Sequence, residues 1–87
     1  MMNDPSWAAA RIRENDPAIF QRMMPHAQNM AANIGPRRRL SPTELHRYSA
    51  QVVRNSRIMD DPPPGYRERG LGGIAKVLLL AALLGEL

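Results

Sequence analysis

Eighty-seven residues carrying a net charge of +4, eight prolines, six glycines and no cysteine leave room for one domain at most. The missing cysteines exclude disulfide staples and thiolate zinc sites, and a chain this short buries only about 60–65% of its unfolded surface. The hydrophobic fraction of 44% leans on alanine and methionine and includes only four aromatic residues, so the chain is expected to complete its structure against partners.

The opening stretch MMNDPSWAAARIREND holds acids and no apolar segment, so no secretory signal is expected there. Asp4-Pro5 places a capping acceptor before a proline at the first helical position, where its missing N–H would have had no partner. A short helix is expected over about 5–14. Asp16-Pro17 repeats the device and opens a second helix. Pro25 should kink or stop that helix, and its tail HAQNMAANI ends at Gly35-Pro36. The flanking sequences match poorly, so the two Asp-Pro openings are a reused start signal and not a repeat unit.

Arg37, Arg38 and Arg39 then form a basic loop. Ser41-Pro42-Thr43-Glu44 is the most complete helix start, because Glu44 stands three residues after Ser41 and the two can exchange capping-box hydrogen bonds. The third helix is expected over about 42–58, with Leu45, Tyr48, Val52 and Met59 on one side and Arg47 and Arg54 pointing away. No segment alternates with period two over strand length. Asp60 to Gly70, DDPPPGYRERG, reads as a polyproline-like linker. The fold class is therefore all-α: three or four short helices in an open, non-globular arrangement. Residues 1–59 hold the short helices, with the basic loop and helix over 35–59; the linker spans 60–70 and an apolar helix spans 71–87.

That last segment, LGGIAKVLLLAALLGEL, runs without a polar residue from Val77 to Leu84. Its apolar residues surround the helix, which is the pattern of a buried helix and not of one lying on a membrane surface. A bilayer span takes about 20 apolar residues, and Lys76, Glu86 and three glycines make insertion near break-even. Burial against protein needs no such adjustment. Ile74, Val77, Leu78, Leu80, Ala81 and Leu84 are the expected docking residues, and removal of 71–87 is expected to leave the remainder soluble.

Catalysis has little support. His26 and His46 fall on different helices, no metal-binding His spacing or phosphate loop appears, and GLGG at 70–73 lacks the Lys and Ser/Thr of such a loop. Asp60 and Asp61 lack a third ligand in reach. No cofactor is expected and the chain is read as non-enzymatic. The excess positive charge sits in the middle third, where six arginines over 35–59 face only Glu44. Arg37, Arg38 and Arg39 are the candidates for charged contacts, with acidic protein or with a nucleic-acid backbone. Pro63-Pro64-Gly65-Tyr66 matches the PPxY pattern of peptides that dock on WW domains, although a proline linker explains the same letters. Arg38-Arg39-Leu40-Ser41 has the form of a basophilic kinase site, but Pro42 suits that class badly and capping already explains Ser41.

The expected function is that of a small structural subunit in a larger protein assembly, a virus or phage particle first among them. The alternatives are a peripheral or tail-anchored subunit of a membrane complex, and a basic accessory protein on nucleic acid. The expected location is a virion or the cytoplasm, or a membrane surface under the second alternative.

Overall fold

Proline occupies the first residue of three helices in the computed structural model, which describes residues 5–35, 38–63 and 70–85. Helix α1 spans Pro5–Asn15, α2 Pro17–Ile34, α3 Pro42–Ser56 and α4 Leu71–Leu84. No strand occurs among the described residues. The capping box at α3 is fully formed. Ser41 is extended, its Oγ accepts from the Glu44 N–H at 3.1 Å, and its own N–H donates to Glu44 Oε1 at 3.1 Å.

Asp16 works differently from the expected cap. Its side chain makes no capping bond. Instead its N–H donates to the Ile12 carbonyl at 2.8 Å and its carbonyl accepts from Phe20 at 3.0 Å, so α1 passes into α2 through one residue. The corresponding cap at Asp4 lies outside the described residues. Of the kink or stop expected at Pro25, the stop does not occur, because helix α2 continues to Ile34. Proline deprives the Gln21 carbonyl of its helical donor. Both residues face solvent, so water can replace that bond and the helix need not end.

Helices α2 and α4 touch each other and both remaining helices, whereas α1 and α3 do not meet. The α2–α4 pair is thus the centre of the molecule, flanked by α1 and α3. The Cα radius of gyration is 11.9 Å, against about 12 Å for a compact chain of this length, so the expected open arrangement is overturned. The reason lies in the alanines. Ala9, Ala27, Ala75 and Ala81 are fully enclosed and Ala31 nearly so. Small residues at the contacts let helix axes approach closely, and a modest set of larger side chains then fills the remaining space. Met23, Leu78, Leu79, Val52 and Ile58 supply it. Met23 and Met24 come from α2, where unbranched side chains adapt to irregular gaps.

Helix α4 is buried, as its composition predicts, but beneath its own chain. Leu71, Ala75, Leu78, Leu79, Ala81 and Leu83 all face inward. Its 14 residues span about 21 Å, well short of a hydrocarbon layer of about 30 Å. No helix among the described residues is long and apolar enough to cross a membrane.

One buried polar group is left over. Ser49 is 1% exposed on the inner face of α3, and its Oγ has no hydrogen-bond partner. An unsatisfied buried hydroxyl costs about 1–3 kcal/mol, and alanine is the better helix former. Ser49→Ala should therefore stabilise the protein by about 0.5–2 kcal/mol, read as a rise in the urea unfolding midpoint. A fall in the midpoint would mean that the hydroxyl finds a partner after all.

Candidate functional site

The most constructed part of the surface is the turn that follows α3. The helix ends at Ser56, two residues earlier than its pattern suggests, because Arg57 adopts the left-handed conformation (φ 56°, ψ 23°). Glycine or asparagine is usual at such a helix end, since a Cβ is crowded there. The reversal breaks the helical phase. Met59, expected on the inner stripe with Leu45, Tyr48 and Val52, is 60% exposed, and Ile58 enters the core in its place with no exposure.

Several bonds fix this turn. The Ser56 hydroxyl donates to the Val53 carbonyl at 2.6 Å and accepts from the Ile58 N–H at 3.3 Å. Asp60 and Asp61 both donate backbone N–H groups to the Arg57 carbonyl. From α2, Arg22 reaches across. Its Nε donates to the Ser56 carbonyl at 3.0 Å, and its Nη2 to the Asp61 carbonyl at 2.6 Å and to Asp61 Oδ2 at 3.1 Å. A guanidinium is well placed at the negative end of a helix dipole, and here it also fills carbonyls that the helix end leaves open.

Against this turn lies a shallow cleft of about 270 Å³, lined by Ala50, Val53, Arg54, Arg57, Met59 and Asp60. Arg47, Ala50 and Arg54 recur at helical spacing on the exposed face of α3 and lead into it. Arg54 Nη1 donates to Gln51 Oε1 at 3.4 Å, and the Arg47 guanidinium sits over the Tyr48 ring, 5.8 Å from its centre. Neither Arg54 nor Arg57 forms an ion pair among the described residues.

The arginine loop is divided. Arg38 binds Glu44 at 2.9 Å, Arg39 is exposed, and Arg37 lies outside the described residues. Glu44 is held below its usual pKa of 4.5, first by the Ser41 backbone N–H it accepts from, then by the Ser41 hydroxyl and the nearby Arg38 and Arg47 charges. A carboxyl with a lowered folded pKa stabilises the protein above its unfolded pKa, and that gain is lost as pH falls through the folded value. Ser41→Ala should lower stability by about 1 kcal/mol at neutral pH. Glu44→Gln, which removes the titrating carboxyl, should flatten the acid-side loss of stability, measured by urea titrations at successive pH values; an unchanged acid profile would count against Glu44 as its source.

The other candidates are dispersed. His26 is half-buried on α2 and His46 exposed on α3. No group of three or more His, Asp or Glu residues that could hold a metal occurs among the described residues. Gly72 and Gly73 lie within the first turn of α4, and Pro64 to Tyr66 of the PPxY stretch fall outside the described residues. Of the six docking candidates, Leu78 and Ala81 are fully enclosed and Ile74 and Val77 pack against the main core cluster. Leu80 is half-buried but joins neither core cluster, and Leu84 is 46% exposed. Together with Gly73 and Lys76 these two leucines mark the outward arc of α4. Sequence reading had no signal for the Arg22 bridge, whose partners stand 34 and 39 residues away. No family model, curated protein or solved structure matches this chain.

Proposed function

We propose that this chain is a small non-enzymatic structural subunit of a larger protein assembly, of the kind that virus and phage particles use. Its seat is the outward arc of α4, a narrower surface than the whole apolar helix. The observation that carries this reading is the contrast along one helix. Leu84 is 46% exposed and Leu80 is half-buried outside both core clusters, on the same helix that exposes Gly72 and Gly73 at its start, although Leu71, Leu78, Leu79 and Leu83 are turned inward. A Cβ added at either glycine would meet nothing within 4 Å. Glycine inside a helix costs about 0.5–1 kcal/mol relative to alanine, and the chain's own packing does not require it here. A partner that approaches the start of α4 closely would.

The test compares the chain with its Leu80→Lys/Leu84→Lys variant in extracts of its native cells, on native gels. The wild type is expected in a species far larger than its own 9.7 kDa, and the variant at monomer size while it keeps a cooperative melting transition. A wild type that runs alone, or a variant that stays in the complex, would end this reading.

A second reading rests on charge. Residues 38–57 hold five arginines and one glutamate, and Arg39, Arg47, Arg54 and Arg57 are all exposed. Such a face suits sequence-independent contact with a nucleic-acid backbone, whose affinity falls steeply as salt rises.

A further inference from the structure

We propose that the cleft at the end of α3 is a binding site for an acidic–apolar peptide segment of a partner protein. In such a segment an Asp or Glu stands next to a leucine-like side chain. The inference deepens the assembly reading by assigning a second contact and its chemistry.

Two features of the cleft select this occupant. Its lining combines the apolar side chains of Ala50, Val53 and Met59 with the guanidiniums of Arg54 and Arg57. A bare phosphate has no use for the apolar groups, and a purely apolar side chain has none for the guanidiniums. A carboxylate on an apolar neighbour satisfies both, and arginine presents paired N–H donors that match a carboxylate's two oxygens. Asp60 also lines the cleft, leaving it one net positive charge. That balance favours a single carboxylate over a polyanion. At about 270 Å³ the cleft holds one side chain and its flank, not a folded element.

The turn is also shaped in advance. Ile58 plugs it into the core and Arg22 ties it to α2, so the backbone that carries Arg57 and Met59 is anchored on both sides. Arg57 itself is informative. It occupies a left-handed position that glycine would fill without crowding, and its guanidinium makes no ion pair among the described residues. The fold gains nothing there from arginine that glycine could not supply. A ligand would.

The experiment titrates the isotope-labelled full chain with the capped peptide Leu-Glu-Leu, and in parallel with Leu-Lys-Leu and with inorganic phosphate, and follows amide and methyl NMR shifts. Saturable shifts confined to residues 50–60, produced by Leu-Glu-Leu alone and reduced at least tenfold in affinity by Arg54→Gln and by Arg57→Gly, are the expected result. Arg57→Gly should bind weakly while its melting temperature holds or rises, which separates recognition from folding. No localised shift up to millimolar peptide would overturn the proposal. Equal shifts with phosphate would overturn it in favour of a backbone-binding surface. Because the Leu80→Lys/Leu84→Lys variant leaves this cleft intact, it should still bind the peptide, so loss of the α4 seat and loss of the cleft are read separately.

Discussion

A chain ending at residue 70 should lose its helical circular dichroism and its cooperative urea transition together. Helix α4 contributes Leu71, Leu78, Leu79 and Leu83 to the buried set, and burying four leucines is worth roughly 6–12 kcal/mol. A protein of 87 residues has only about 4–13 kcal/mol of net stability. The loss is as large as the whole. The helices left behind have 11, 18 and 15 residues, lengths at which isolated helices are marginal in water. This result runs against the expectation from sequence that residues 1–70 would remain a soluble unit, and the reason is that α4 touches every other helix. A truncated chain with a surviving sigmoidal transition would show that α1–α3 hold a core of their own.

Ile58→Ala should cost about 2–5 kcal/mol, whereas Met59→Ala should stay within about 0.5 kcal/mol, both measured as shifts of the urea midpoint. The two residues are neighbours and similar in hydrophobicity. What separates them is orientation: Ile58 has no exposure and belongs to the main core cluster, while Met59 is 60% exposed. The Ile58 variant should also release the turn that carries Arg57 and Asp60, broadening their amide resonances. Its loss cannot be made good by the Arg22 bridge alone, because that bridge lies on the surface with Asp61 84% exposed. Equal effects from the two substitutions would mean that the turn is held by its hydrogen bonds and not by the plug.

Several features could be read directly from the residues. Ser41, Pro42 and Glu44 announce a helix start through bonds made within one turn, and the structure contains both of them. The apolar circumference of α4 announces burial. Other features follow from contacts between distant segments and had no local sign. Helix α2 runs through Pro25 because that residue faces water, and which face of α2 turns outward depends on α1, α3 and α4. The Arg22 bridge joins residues 34 and 39 positions apart, while Ile58 took the buried place expected of Met59 when Arg57 reversed the chain. The candidate cleft was invisible for the same reason. Its arginines were legible as charge, but Met59 and Asp60 join them in one cleft only when the turn folds back.

What the sequence by itself determined is the all-helical class, the starts of the helices and the presence of one segment that must be covered. Those depend on propensity, capping and periodicity, which act over a few residues. Only the tertiary structure decided what covers that segment. Enclosed alanines on α1, α2 and α4 bring the helices close enough for a small chain to bury α4 itself, and of that helix Gly72, Gly73 and Leu84 are left exposed. Close approach is a property of pairs of surfaces, and no single stretch of sequence contains both members of the pair.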